Sequence, residues 1–260
     1  MRFATVDRTD ERSVHVRNQI IHECTKIGWI YDQDNPDLIV CIGGDGTFLR
    51  AIHQYLNQLD DVYFVGVHTG TLGFLTDYTV DELDTFFSNI QTNNPILNYS
   101  PLLEIEIHYK DNTVKKLFSF NEIRIESSIR TLNLDVFIDN EYFEHTTGSG
   151  ICISTQAGST AVNRALQGAV IDSGLNVMQL CEILPISHMN HHTLRNPYIM
   201  QCDRVVRVES DGLEKAYLYY DYLQEDLTKA EYILVKTSQK KVRFARYRTY
   251  SYLKRLKNLY

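Results

Sequence analysis

The chain has 260 residues, enough for one large domain or two smaller ones, and its 17 Tyr and 11 Phe favour packed structure over disorder. A net charge of −7 excludes a protein drawn as a whole to nucleic acid or to an anionic membrane, so any nucleotide must be held by local donors or a metal. No stretch approaches the roughly 20 apolar residues of a membrane span, Met1-Arg2-Phe3-Ala4 does not open a signal peptide, and Cys24, Cys41, Cys152, Cys181 and Cys202 form no CxxC pair, so reduced thiols and a cytoplasmic location are expected.

Over the first hundred residues strand and helix alternate. Phe3–Val6 reads as a short strand. Val16, Ile20, Cys24 and Ile27 recur at helical spacing, with Gly28 placed as the stop. The apolar run Leu38–Ile42 reads as a buried strand that ends in Gly43-Gly44-Asp45-Gly46 and feeds helix-like Thr47–Ile52. Val62–Val67 is another such strand, running into the loop His68–Phe74. Thr79-Val80-Asp81-Glu82 has the form of a capping box, opening a helix through Ile90. This alternation implies a parallel sheet, whose ligands bind at the carboxyl ends of its strands, where both glycine loops lie.

The pattern changes near Asn93-Asn94-Pro95. Leu103, Ile105, Ile107 and Tyr109 alternate with polar residues, and Leu132–Ile138 turns at Asp139-Asn140 into Glu141–Thr146. Val205–Val208, Ala216–Tyr220 and Tyr232–Val235 read as further strands, interrupted by an expected helix over Ser159–Gly168. The tail Tyr247–Tyr260 carries Arg248, Lys254, Arg255 and Lys257 among Tyr and Leu, and is expected to form a helix that packs back on the first domain. The fold class is therefore α/β plus all-β. A Rossmann-like α/β domain (residues 1–100, with 241–260 returning to it) precedes an antiparallel β-sandwich (101–240).

Gly43-Gly44-Asp45-Gly46 has phosphate-handling geometry, because missing side chains let a nucleotide approach the backbone and the next helix offers N–H donors. A carboxylate repels phosphate, so Asp45 makes sense if it holds a metal or takes the proton of a hydroxyl being phosphorylated. A tight strand-to-helix turn with Asp45 as N-cap is the plainer reading, and the two are compatible. In Asn121-Glu122, the amide can read a base edge and the carboxylate can accept from ribose hydroxyls; a turn residue beside a solvated acid gives the same dipeptide. Gly148–Ala161 sets two glycine turns around a short apolar strand, then hydroxyls before a helix that Ser159 or Thr160 could cap. Such a segment suits a phosphate or a base, and equally a plain capped helix. His188, His191 and His192 lack an acidic or Cys partner at zinc spacing, so no metal ligand is assigned. His68 reads as a loop anchor. Asp221 is either a turn residue or a second acid near the site, and Tyr219-Tyr220-Asp221-Tyr222 reads as core and interface packing.

Taken together, Gly43–Thr47, the loop His68–Phe74, Asn121-Glu122 and Gly148–Asn163 resemble bacterial NAD kinases in order and spacing, over nearly the whole chain. The resemblance implies transfer of the ATP γ-phosphoryl to the 2′-hydroxyl of the adenosine ribose of NAD, giving NADP. It also implies a divalent metal, with Mg²⁺ accompanying ATP, and a homo-oligomer, dimer or tetramer. Asp45 matches the family's proton acceptor and Gly46 its glycine neighbour. Asn121 and Glu122 match the pair that holds the adenosine. Ser159, Thr160, Ala161, Asn163 and Ala165 lie in the segment lining the adenine pocket, and Asp221 matches an acid near the reacting ribose. Thr147, Ser149, Gly158, Val162, Arg164 and Leu184 complete the implied cofactor-binding set. The chain departs from the family at Ser149, where an acid is usual, at Val162, where an aromatic is usual, at Gln156 for a proline and at Thr147 for a basic residue. Two other readings compete. Lipid kinases also carry a Gly-Gly-Asp-Gly-Thr turn, and a paralogue that binds NAD without turnover would tolerate Ser149 and Val162.

Overall fold

The computed structural model describes residues 1–70, 73–186 and 193–259. It divides into two compact units, one made of Met1–Ser100 with Lys240–Tyr260, the other of Pro101–Gln239.

In the first unit, β1 (Arg2–Asp7), α1 (Glu11–Lys26), β2 (Ile30–Tyr31), β3 (Leu38–Ile42), α2 (Asp45–Gln54), β4 (Tyr63–His68), β5 (Tyr78–Thr79) and α3 (Leu83–Thr92) follow in chain order. The strands β2-β1-β3-β4 form a parallel sheet, and β5 pairs with β4 in the same sense. All five residues of β3 are buried, as a parallel strand covered on both faces requires. The Asp10 side chain caps α1 by accepting from Ser13 N, Val16, Ile20 and Cys24 fill its inner face, and Gly28 follows at φ +86°. The Thr79/Glu82 capping box forms as expected and opens one 3-10 turn that runs into α3.

The second unit holds β6 (Ile96–Tyr109, which begins in the first), β7 (Val114–Ser119), β8 (Glu122–Glu126), β9 (Leu132–Ile138), β10 (Glu141–Gly148), β11 (Gly150–Thr155), α4 (Val162–Ala165), β12 (Val177–Ile183), β13 (Tyr198–Gln201), β14 (Val205–Glu209), β15 (Tyr217–Tyr220), β16 (Leu223–Asp226) and β17 (Ala230–Arg246, which ends in the first unit). One sheet runs β10-β9-β14-β17, with β6 and then β7 beyond β17; the other runs β13-β12-β11-β8-β15-β16. Ile125, Ile151 and Leu180 of the second sheet share a core with Leu134, Val208 and Ile233 of the first, the buried layer of a sandwich. Asp139 and Asn140 turn the β9–β10 hairpin at φ +53° and +68°, the tight turn that suits the twist of paired strands.

The structure corrects several expectations. Ser159–Gly168 is not one helix: a 3-10 turn spans Ala157–Thr160, and α4 has only four residues. The tail helix α5 is confined to Tyr252–Leu256, capped by Ser251. The expected strand Tyr232–Val235 lies near the start of the 17-residue β17. Strand β12 gave no sequence signal, because Gln179 and Glu182 interrupt its apolar run. Four of the five cysteines are buried and all are free. Among the described residues, no helix is long and apolar enough to cross a membrane.

Phe86 of α3 is fully buried and meets the Tyr78 ring edge-on, centroids 5.1 Å apart. Phe86→Ala is expected to lower unfolding free energy by about 3–5 kcal/mol in a urea titration; a loss under about 1 kcal/mol would mean that α3 does not carry this core.

Candidate active site

Strand β3 delivers the chain to Gly43, whose N–H donates to Val67 O at 3.0 Å. Gly43 sits at φ +151°, and a Cβ there would stand 2.3 Å from Thr47 Oγ1, so only glycine fits the turn. Gly44, not Asp45, is the N-cap of α2, and Asp45 is the first helical residue. Its carboxylate does not bend back to cap its own helix. It accepts from Phe74 N at 2.8 Å and Leu75 N at 3.0 Å, in the loop after β4. A Cβ on Gly73 would lie 2.3 Å from Asp45 Oδ1, so that glycine is what lets the loop close on the carboxylate. An ionised carboxylate offers about four acceptor positions, and these two bonds leave the rest for a ligand. His68 anchors the loop, as expected: its Nδ1 accepts from Gly70 N at 2.6 Å, and burial lowers its pKa, which favours the neutral ring that such a bond requires. Thr71 and Leu72 of this loop lie outside the described residues, as do His188, His191 and His192.

The C-terminal tail completes the surroundings of this loop, and sequence reasoning missed it. Tyr250 Oη donates to Phe74 O at 2.9 Å, Arg246 Nη1 to Leu75 O at 3.1 Å and Arg255 Nη2 to Thr76 O at 3.0 Å, while Arg248 Nη2 donates to Asp77 O. Each partner is more than 160 residues away in sequence, so no local pattern marks it.

In the second unit, Asn121 and Glu122 sit at the junction of β7 and β8. Asp221 occupies the turn between β15 and β16 at φ +51°. Its carboxylate accepts from Asn121 N at 2.7 Å, Phe120 N at 2.8 Å and Ser119 Oγ at 2.9 Å. Asn121 O accepts from Thr155 N at 2.9 Å, and a Cβ on Gly158 would stand 2.0 Å from the same oxygen. The Asn121 backbone is thus fixed from both sides. Glu122 is 3 % exposed, and among the described residues its Oε2 has no hydrogen-bond partner. Its cross-strand neighbour Ser154 also buries an unpartnered Oγ. Burial, and then the Asp221 charge, push the Glu122 carboxyl up to about 7 against the pull of Arg124. Two buried polar atoms without protein partners, beside a backbone held this firmly, mark a place built to receive a polar ligand.

The Gly148–Ala165 segment separates into support and surface. Thr147 Oγ1 donates to Asn133 Oδ1 at 2.8 Å, Ser149 N donates to Ile183 O at 2.9 Å, and Gly150 takes a turn that a side chain would block against Ile125 O. Ser159 is no helix cap: fully buried, it accepts from Ile171 N at 3.1 Å through Oγ. Thr160 Oγ1 reaches Ala157 O instead, and Ala161 precedes α4 without a side-chain cap. Asn163 is fully buried, donating to Ser159 O and accepting from Cys181 Sγ at 3.1 Å. Thr160, Ala161 and Val162 remain half-buried, Arg164 and Ala165 exposed, and Leu184 is 74 % exposed at φ +45°. In the tyrosine cluster, Tyr219 lies 4.9 Å beneath the Arg124 guanidinium and Tyr220 packs on the core. Tyr222 is exposed rather than packed. Among the described residues, no group of three His, Cys, Asp or Glu could hold a metal ion.

The Glu122 shift has a pH consequence. The folded state keeps a proton that the unfolded chain releases near the usual value of 4.5, so stability falls as pH rises from about 4.5 to about 7 and levels off above. Glu122→Gln removes that penalty. In urea titrations its stability relative to the parent is expected to rise by up to about 3 kcal/mol between pH 4.5 and 8; a difference that stays constant with pH would rule out a buried ionisable carboxyl here.

Comparison with known proteins gives the chain's family. Residues 17–93 match the profile of the ATP-NAD kinase N-terminal domain. NAD kinase 1 of Halalkalibacterium halodurans is 33% identical over 259 residues, covering 99% of this chain and 97% of that protein. NAD kinase 1 of Oceanobacillus iheyensis is 34% identical over 265 residues, with the same coverage. Among solved structures, yeast NADH kinase complexed with NADH superposes with a TM-score of 0.86 at 19% identity, covering all of this chain and 87% of its own. An NAD kinase from Archaeoglobus fulgidus in complex with ATP gives 0.77 at 22% identity, covering all of this chain and 97% of its own; at such identities these two speak for the fold. Conserved over nearly its whole length with bacterial relatives, the chain belongs to the NAD kinase family.

Proposed function

We propose that this protein is an active NAD kinase, transferring the γ-phosphoryl of ATP to the 2′-hydroxyl of the adenosine ribose of NAD to give NADP and ADP. The observation that carries this reading is the Asp45 carboxylate, fixed by two backbone amides at the start of α2 with acceptor positions to spare. A ribose hydroxyl is far too weak an acid to ionise free at neutral pH. A carboxylate in hydrogen-bond reach orients it and takes its proton as the new O–P bond forms and the bond to the ADP oxygen breaks. Phosphoryl transfer has a loose transition state, so holding donor and acceptor in line is most of the task. Gly46 supports the same reading, since a Cβ there would meet nothing of the protein within 4 Å and a ligand lying on the backbone accounts for the glycine.

Asn121 and Glu122 hold the adenosine in this proposal, with the unpartnered Glu122 Oε2 and Ser154 Oγ meeting its hydroxyls or base. Asp221 acts by fixing the Asn121 backbone rather than by touching the ribose. Thr160, Ala161, Val162, Arg164 and Ala165 supply the surface against the adenine, with Ser159, Asn163 and Gly158 behind them as support. Thr147, Ser149 and Leu184 border it. A divalent metal, Mg²⁺, bound to ATP mainly through its phosphates and water, would supply screening of the phosphate charge. The proposed working form is a cytoplasmic homo-oligomer, as the family resemblance implies.

Purified protein with NAD, ATP and Mg²⁺ is expected to form NADP, read through an NADP-dependent dehydrogenase, and to consume no ATP with diacylglycerol or sphingosine. Asp45→Asn is expected to lower turnover at least ~10²-fold while leaving NAD affinity largely intact by calorimetry. Near-normal turnover in a folded variant would remove Asp45 from the mechanism. NAD binding without NADP at saturating ATP would favour the non-catalytic paralogue, which Val162 motivates because it cannot stack on a base as an aromatic does.

A further inference from the structure

Four successive carbonyls, those of Phe74, Leu75, Thr76 and Asp77, are each taken by a side chain of the C-terminal tail: Tyr250, Arg246, Arg255 and Arg248 in turn. On its other side, the same loop presents the N–H groups of Phe74 and Leu75 to Asp45. The two sets meet in one peptide group. The Phe74 carbonyl that accepts from Tyr250 Oη and the Leu75 N–H that donates to Asp45 Oδ1 belong to the same rigid plane. A force on one end of that plane turns the other end, and each bond polarises its neighbour.

The tail is poorly explained as a device for stability alone. Arg255 is 7 % exposed and buries its Nη1 without a partner; Arg246 Nε and Thr76 Oγ1 are likewise buried and unpartnered. Unpaired buried donors are costly, so these guanidinium groups are held where their other nitrogens are needed. Arg246 is oriented by a two-oxygen contact with Asp77 at 2.7 Å and lies 4.3 Å over the Tyr250 ring, which places that phenol. Burial raises the Tyr250 pKa and keeps the hydroxyl a donor at neutral pH. Gly66 closes the remaining side: its carbonyl accepts from Asp77 N, and its missing Cβ admits Thr76 at a distance no side chain would allow.

We propose that the tail is a positioning device for the phosphoryl-transfer step, in which Tyr250, supported by Arg246 and Arg255, sets the peptide plane that aims the Asp45 carboxylate. The inference rests on the reading of Asp45 as proton acceptor. Tyr250→Phe deletes one hydroxyl and keeps the ring. Steady-state kinetics are expected to show kcat about 10- to 100-fold lower, the cost of a small misplacement at a reacting centre, with KM for NAD within about twofold. In an Asp45→Asn background, the same substitution is expected to change kcat less than twofold, because the group being aimed is gone. A tail that merely holds the fold together would lower activity by the same factor in both backgrounds. That additive result overturns the proposal, as does unchanged kcat in the single Tyr250→Phe variant. If Tyr250→Phe loses its cooperative thermal transition, Arg255→Lys replaces it, since Lys keeps the charge but lacks the planar fork that reaches Thr76 O, and the same split and the same non-additivity are required of it. A large loss from Asp45→Asn with no effect of Tyr250→Phe sinks this inference alone, whereas a nearly active Asp45→Asn sinks the assignment of Asp45 first.

Discussion

The two backbone N–H groups that hold the Asp45 carboxylate are the contact on which the first unit is organised. They bring the loop after β4 to the start of α2, and three glycines serve the approach. Gly43 makes the corner, Gly73 yields room to the carboxylate, and Gly66 yields room to Thr76. The partner chosen is chemically significant. Asp77, in the same unit, is paired with the Arg246 guanidinium, whereas Asp45 is held by neutral dipoles. Two amides fix a carboxylate in place without cancelling its charge, and they leave acceptor positions open. A guanidinium would have occupied both oxygens and competed for the phosphates that a kinase must bind.

The second unit uses the same device for a different end. Asp221 also accepts from two consecutive backbone amides, those of Phe120 and Asn121, but here the carboxylate is the support and the backbone is what is aimed. Its charge is close enough to raise the Glu122 pKa further, after burial has already done so. The fold thus keeps a costly, half-satisfied acid beside a fixed amide, a combination that stability alone would remove and that a ligand with several hydroxyls would satisfy.

What could be read from the sequence followed the range of each interaction. Gly43–Gly46 was legible because a corner that needs a positive φ and a carboxylate at a helix start are both local facts. The Thr79/Glu82 capping box and the Asp139-Asn140 hairpin were legible for the same reason. Asp45 as a cap was a local reading too, and it failed because the partners of its carboxylate lie 29 and 30 residues away. Ser159 and Asn163 were placed in the adenine-pocket segment by resemblance, and the partners of their buried side chains could not be read locally. Their partners, Ile171 and Cys181, come from the next loop and strand, and turn them inward. The tail was read as a packing helix. Its helix is α5, and what stayed hidden is the set of side-chain to backbone bonds spanning more than 160 residues, because a carbonyl carries no mark in a sequence.

This division also explains where the chain departs from its family's pattern. In the proposed site Ser149 and Val162 are half-buried surface beside the nucleotide, and neither takes part through its side chain in the bonds that hold Asp45 or Asn121. On the proposed reading, such positions can change one residue at a time, each change costing one contact with the nucleotide. The carboxylate clamps cannot, because Gly73 and Gly158 have no room for any larger residue and the amides of Phe74, Leu75, Phe120 and Asn121 answer to one acid apiece. In the proposed reading, recognition of the dinucleotide is the adjustable part of this protein, and the geometry at Asp45 is the part that its backbone fixes.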